Sequence, residues 1–286
     1  MTRRMFVLAL AWASLVGTIS ADAPPRRVVS LIPAVTEMIF AMGAGARVVG
    51  VSTYDRYPPE VERIPRVGGL LDPNVERVLS LKPDLVIVYN TQQELKQRLD
   101  RASIPYYSYE HRALADIAAT VRTVGARLGV RDAANRVADR MEHDLEAVRR
   151  SLVGRPRPKT LLIFGRDPGT LRNIDASGGY GFLHDMLDIA GGNDVFGDVK
   201  KQSVQVSTEM ILARRPDVII ELRYGDASQA GDIQRQLAAW DALPSVPAVR
   251  NHRLYVLVGD EFVVPGPRVV DATRKLARTL HPDAAG

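Results

Sequence analysis

The sequence predicts an α/β protein of two lobes with mostly parallel sheets, joined by a long rigid helix, with a ligand cleft between the lobes. Three observations lead there. Short apolar runs alternate with longer amphipathic ones, an uninterrupted amphipathic stretch divides the chain, and one helix–strand unit occurs in both halves.

Strands are expected at residues 28–32, 48–52, 85–89, 161–164, 218–222 and 254–258. These runs carry little polar alternation, as strands covered by helices on both faces do, which favours parallel pairing. Helices are expected at residues 36–42, 75–81, 93–101 and 208–213, with Asn74 and Ser207 as N-caps. From Asp132 to Leu152 apolar residues recur every three or four positions at Ala134, Val137, Met141, Leu145, Val148 and Leu152, without proline or glycine. Such a helix makes a rod of about 32 Å. Gly154-Arg155-Pro156-Arg157-Pro158 then breaks it. The expected organisation is a signal peptide at 1–23, an N-terminal lobe at 24–130, the connecting helix at 131–154 and a C-terminal lobe at 155–286.

The repeat supports two lobes of similar topology. Glu76-Arg77-Val78-Leu79-Ser80-Leu81-Lys82-Pro83-Asp84-Leu85-Val86-Ile87 matches Glu209-Met210-Ile211-Leu212-Ala213-Arg214-Arg215-Pro216-Asp217-Val218-Ile219-Ile220 without a gap, 133 residues later. A weaker pair sets Gly43 and Gly45 against Gly191 and Gly192, glycine clusters placed as helix C-caps.

Composition narrows the function. The chain has 286 residues, 46% hydrophobic and 25% charged, an ordinary globular balance that excludes disorder and a polytopic membrane protein. The absence of cysteine removes disulfides, thiolate metal sites, cysteine nucleophiles and a lipid-anchoring cysteine. The formal charge of +5 is spread among mixed acids and bases, so no nucleic-acid partner is indicated. At the N-terminus Arg3 and Arg4 precede an apolar stretch from Met5 to Val16 and then Ala21-Asp22-Ala23. This pattern predicts a cleaved signal peptide and a soluble protein of the periplasm.

No Gly-rich phosphate loop, G-x-S-x-G elbow or H-E-x-x-H motif is present, so an enzyme is not expected. His184-Asp185 with Asp188 offers two ligands one helical turn apart but no convergent set, and no metal site or resident cofactor is expected. The predicted strand ends instead carry Tyr54, Tyr89, Phe164 with Arg166-Asp167, Tyr224, and Asp260 within Gly259-Asp260-Glu261-Phe262. Carboxyl ends of parallel strands face the ligand crevice, and tyrosine offers a flat apolar face with a polar tip. Tyr54, Tyr89, Phe164, Asp167, Tyr224 and Asp260 are therefore the candidate ligand-binding residues.

Arg27-Val28-Val29-Ser30-Leu31-Ile32-Pro33-Ala34-Val35-Thr36-Glu37, Val49-Gly50-Val51-Ser52-Thr53-Tyr54 with Tyr57-Pro58-Pro59, Asn74-Val75-Glu76, and Leu81-Lys82-Pro83-Asp84-Leu85-Val86-Ile87 resemble the cobalamin and iron-siderophore periplasmic binding proteins. This is the helical-backbone class of ABC-importer receptors. Within it the Ser-Leu-Ile-Pro-Ala-x-Thr-Glu opening and the Ser-x-Tyr-x-x-Tyr-Pro segment look most like the cobalamin receptors. The resemblance implies a monomeric receptor that captures a corrinoid and hands it to a permease dimer with ATPase subunits. It supports Tyr54 and Tyr89 as aromatic contacts and Glu76 and Glu209 as docking carboxylates, one per lobe. Other cleft tryptophans of the family are replaced here, one by Leu70 and one near Ser203. The alternative cargo is a ferric siderophore or heme, for which Arg166, Arg223, Tyr180 and Tyr224 are the candidates. An exported α/β enzyme is the remaining reading.

Overall fold

In a computed structural model, which describes residues 23–225 and 230–284, the chain divides between two sheets. The expected signal peptide lies outside the described residues except for Ala23. The first sheet contains β1 (Val28–Ser30), β2 (Val48–Val51), β3 (Leu85–Tyr89) and β4 (Tyr106–Tyr109), in the order β2-β1-β3-β4 and all parallel. Helices α1 (Pro33–Ala41), α2 (Val75–Ser80), α3 (Gln93–Arg101) and α4 (Leu114–Arg127) supply its crossovers and cover. Val28, Val29, Leu85, Val86, Ile87 and Val88 are fully buried, as strands covered on both faces require.

The connecting helix is α5 (Arg131–Ser151), which buries Ala134, Ala138, Met141, Leu145 and Val148. It packs against α4 on one side and against α6 (Phe182–Ile189) and α10 (Val269–Leu280) of the second lobe on the other. The approach of α4 to α5 requires a glycine, because a Cβ on Gly125 would fall 2.1 Å from the Cβ of Ala134. One hydrophobic cluster runs from Val28 and Leu85 through Met141 and Leu145 to Leu162 and Leu276, so the spine is part of a core shared by both lobes.

The second sheet contains β5 (Lys159–Gly165), β6 (Ile174–Ser177), β7 (Asn193–Asp194), β8 (Ser203–Val206), β9 (Val218–Arg223) and β10 (Leu254–Val258), in the order β10-β9-β5-β6-β8 with β7 beside β5. Strands β10, β9, β5 and β7 are parallel, whereas β5–β6 and β6–β8 are antiparallel. Helices α7 (Thr208–Arg214), α8 (Ala230–Ala238) and α9 (Pro247–Arg250) complete this lobe. The antiparallel edge has no counterpart in the first lobe.

The sequence repeat has a structural cause. In both halves the Pro-Asp carboxylate accepts backbone N–H groups at the start of the neighbouring central strand: Asp84 takes those of Arg26 and Arg27, each at 2.8 Å, and Asp217 takes that of Lys159 at 3.1 Å. Each aspartate also donates its own N–H to the same strand, to Arg27 O and Lys159 O respectively. The motif thus fixes where β3 meets β1 and where β9 meets β5. The preceding residues, Lys82 and Arg215, both adopt left-handed backbone, with φ of 47° and 51°. Asn74 and Ser207 cap α2 and α7 as expected, accepting from the N–H groups of Arg77 and Met210.

Candidate functional site

The carboxyl ends of β2 and β3 meet those of β5, β9 and β10 across the gap between the lobes, and the chain there forms two aromatic walls. On the first wall Tyr54 follows β2 and is 57% exposed, with its ring packed on the turn after Val67; a Cβ on Gly69 would fall 2.6 Å from that ring. Tyr89 ends β3 and is half-buried, edge-on to Tyr109 with ring centroids 6.0 Å apart. His111 stacks on Tyr109 at 5.7 Å and meets Phe182 of the opposite lobe edge-on at 5.6 Å. Burial pushes the His111 imidazole below and the Tyr109 phenol above their usual ranges, so both are neutral members of an apolar stack.

Phe182 opens the second wall. With Phe164, Tyr180, Gln202, Ser203 and Val263 it lines a cavity of about 290 Å³ in which, among the described residues, no charged side chain takes part. The Gly178–Gly181 loop shapes its rim: a Cβ on Gly179 would fall 2.0 Å from Gly197 O, and Gly181 takes φ of 101° at the start of α6. Phe164 is among the expected strand ends and Tyr180 among the candidates for the alternative cargo, whereas Phe182, Gln202 and Val263 escape the sequence reading, although the Ser177-Gly178-Gly179-Tyr180-Gly181 cluster ahead of a helix is a visible turn signal.

The structure brings Tyr54, Tyr224 and Asp260 together. Tyr224 donates its hydroxyl to Tyr54 O at 3.1 Å and accepts from Arg56 Nε at 3.2 Å, while Asp260 accepts the Gly225 N–H at 3.1 Å. Phe164 lines the cavity, and Tyr89 joins it through His111 and Phe182. Asp167 is engaged differently. It sits in the turn between β5 and β6, accepting from Asn173 Nδ2 at 2.9 Å and donating its N–H to Arg172 O.

Arg166 corrects the expectation that it could meet an anionic chelate. Its side chain is fully buried and donates to Glu221 Oε1 from both Nε and Nη2, at 3.0 and 2.8 Å. It also donates to the carbonyls of Thr170 and Gln236. Glu221 further accepts from Trp240 Nε1 at 2.7 Å and from Arg223 at 2.8 Å. This cluster, two guanidiniums on one carboxylate, holds the β5–β6 turn and α8, with Arg166 wholly enclosed and Arg223 partly exposed.

Beneath the first wall lies a second set of ionisable groups that the sequence did not single out. Glu37 on α1 is 4% exposed and pairs with Arg268 of the other lobe at 2.5 Å, and Arg268 stands 4.2 Å over the Tyr57 ring. Burial raises the Glu37 carboxyl against the pull of Arg268. Asp55 is 1% exposed, and neither of its carboxylate oxygens has a hydrogen-bond partner among the described residues. Burial pushes its pKa up to about 7, against weaker opposing pulls from Thr36, Ser52 and Arg66.

Glu76 and Glu209 are exposed in the first turns of α2 and α7. Hydrogen bonding at the start of its helix, from Ser207 first, holds the Glu209 carboxyl below the usual range. Among the described residues no group of three histidine, aspartate or glutamate side chains could hold a metal ion; His184 instead pairs with Asp194 at 3.1 Å.

Two α/β lobes sharing one core through a long helix, with an aromatic cleft at their facing strand ends, define a two-lobed solute receptor. The chain belongs to the periplasmic binding protein family, whose model matches residues 28–260. It is 32% identical to the vitamin B12-binding protein of Salmonella typhimurium over 257 residues, covering 89% of this chain and 90% of that one. An ABC transporter substrate-binding lipoprotein of Bacillus subtilis is 28% identical over 267 residues, covering 91% and 81% of the two chains. The periplasmic heme-binding protein of Roseiflexus sp. RS-1, solved without ligand, superposes with a TM-score of 0.76 at 27% identity, covering 91% of this chain and 99% of that one. These relatives are substrate-binding proteins rather than enzymes.

Proposed function

We infer that this protein is the substrate-binding subunit of an ABC importer and that its cargo is a corrinoid, most simply cobalamin. One observation carries the cargo: the described residues lining the cavity in the second wall are aromatic or uncharged, and Arg166 behind that wall is held by Glu221. A corrin ring edged by neutral amides suits such a surface, whereas an anionic chelate needs free guanidinium groups. The cavity accommodates an edge of a large ligand, and Tyr54 and Tyr224, 57% and 44% exposed, are joined to each other at the strand ends across the cleft. The vitamin B12-binding relative supports this choice.

A ferric siderophore or heme is the second reading, favoured by the exposed Tyr180 phenol at the cavity and Arg56 at the cleft mouth. Purified protein incubated with cyanocobalamin, cobinamide, hemin and ferric chelates, then desalted, reveals its cargo by absorbance. Retention of a corrinoid spectrum is expected; retention of hemin alone overturns the corrinoid. With the bound compound, Tyr54→Ala and Tyr89→Ala should each weaken calorimetric affinity by roughly 1–3 kcal/mol without unfolding the protein.

Delivery requires docking. Glu76 and Glu209 stand at equivalent places of the repeat, one on each lobe, as a two-fold permease with matching basic patches would need. Glu76→Lys combined with Glu209→Lys should leave ligand affinity intact and abolish transport. Transport at the wild-type rate would remove these carboxylates from the interface.

A further inference from the structure

Gln92 is the N-cap residue of α3, yet its side chain makes no capping bond to that helix. Serine, threonine, aspartate or asparagine would satisfy the helix end better. The Gln92 amide reaches back instead. Its Oε1 accepts the Tyr89 N–H at 2.8 Å and its Nε2 donates to Leu70 O at 2.9 Å, with the residue 8% exposed. Only one orientation of the amide serves both partners, because a backbone N–H needs an acceptor and a carbonyl needs a donor.

These two bonds join parts of the first wall that are distant in sequence. Leu70 belongs to the turn that also seats the Tyr54 ring on Gly69, and this turn carries Leu71 at 94% exposure. Backbone bonds close the turn: Thr53 donates to Gly68 O at 2.9 Å and Asn74 to Val67 O at 2.9 Å. Tyr54, the Leu70-Leu71 tip and Tyr89 are therefore tied to one another, with the Gln92 amide as the link between the turn and β3. The neighbouring Lys96 is occupied with Asn90 O at 2.6 Å and does not compete for this amide.

We propose that Gln92 is a positioning residue of the binding cleft, holding Tyr89 and the Leu70-Leu71 turn as one preorganised surface for the ligand. This rests on the reading of the cleft as the cargo site. Preorganised groups bind without the ordering cost that a loose loop carries, so releasing the turn should act mainly on affinity and dissociation rate.

Two variants test it, with cyanocobalamin and hemin as probes. Gln92→Met keeps the bulk and removes both bonds; Gln92→Glu keeps the acceptor for Tyr89 and loses the donor to Leu70 when ionised. Hydrogen exchange in the free protein should show lost protection at the Tyr89 amide in Gln92→Met, with Val86 to Val88 unchanged. Affinity for the probe that the wild type binds should fall roughly tenfold in Gln92→Met, mostly through faster dissociation. In Gln92→Glu the ratio of variant to wild-type affinity should recover on lowering the pH from about 8 to about 4, below the ordinary glutamate pKa, because the protonated carboxyl donates again. Filling of space alone would give no such recovery. Retained protection of the Tyr89 amide in Gln92→Met overturns the proposal, as does unchanged affinity for a probe the wild type binds. If the wild type binds neither probe, the corrinoid and heme readings fall, and the exchange experiment alone decides the role of Gln92.

Discussion

The two walls of the cleft rest on different foundations. Tyr54 and Leu70 hang on loop backbone, tied by the neutral amide of Gln92 to Tyr89 at the end of β3. Behind the cavity wall opposite, Glu221 gathers Arg166, Arg223 and Trp240 into a buried ionic cluster that ties β5, β9 and α8 together. The lobes share a helix–Pro-Asp–strand frame, but the groups that directly hold the ligand surface differ. The repeat therefore governs how each parallel sheet is framed and leaves the walls free to specialise. The first wall is held at its surface by neutral hydrogen bonds, while the opposite one is braced directly by a buried charge cluster.

The largest effect is expected where that brace is cut. Glu221→Ala leaves the fully buried Arg166 guanidinium without its carboxylate and the Trp240 N–H without an acceptor, which should cost roughly 3–5 kcal/mol of stability in urea unfolding. Replacing both partners, as Arg166→Met with Glu221→Leu, should recover part of the loss, because the fully buried guanidinium goes with its carboxylate while the partly exposed Arg223 and the Trp240 N–H still lose their acceptor. If Glu221→Ala unfolds at the wild-type urea concentration, the charge cluster does not brace its wall and the contrast between the two fails.

Under the first wall the corresponding sensitivity is to protons. Asp55 has an ordinary carboxyl pKa of 3.8 when unfolded and one of about 7 when buried. Between those values the native state holds a proton that the unfolded chain has lost, so stability falls as pH rises, by up to roughly 1.4 kcal/mol per pH unit. Above the folded value the loss is complete and the slope from this group vanishes. Glu37 on α1 adds to the shift, whereas Arg66, Thr36 and Ser52 oppose it. Asp55→Asn should flatten this part of the stability profile and leave the variant more stable than the wild type near pH 8, estimated from about one unit above that folded value. An unaltered profile would show that the carboxyl finds partners that remove its burial cost.

These two experiments probe features that single-sequence reading could not supply. The frame was legible: β3, α3 and β10 fall at the expected residues, and the Asn74 and Ser207 caps follow from short-range chemistry. Helix α4 was not foreseen because its start at Ala113 lacks a capping side chain of its own; the Leu114 N–H is taken by Asp185 of the other lobe at 2.8 Å. The antiparallel β6 and β8 are too short and polar to stand out. Arg166 looked available at a strand end because its partner Glu221 lies 55 residues away. The tyrosines were visible as a set, yet their connection through His111, Gln92 and the Gly69 turn is purely tertiary.

The smallest effect separates the lobes at the frame they share. Asp84 accepts two backbone N–H groups, both at 2.8 Å, and Asp217 accepts one at 3.1 Å. These bonds lie at the surface, where each contributes roughly 0.5–1.5 kcal/mol. Asp84→Ala should therefore lower stability by about twice as much as Asp217→Ala, with charge-assisted acceptance favouring the shorter pair. Both aspartates sit at the amino ends of their strands, far along the sheet from the cleft, so neither change should alter ligand affinity. Urea unfolding of the two single variants gives the ratio, and calorimetry checks the affinity. Equal losses would mean that the motif contributes through its proline and its backbone pairing rather than through the carboxylate; a larger loss for Asp217→Ala would place the weaker frame in the first lobe. Unequal losses in either direction would mean that the difference between lobes begins in the sheets themselves, below the walls that face the ligand.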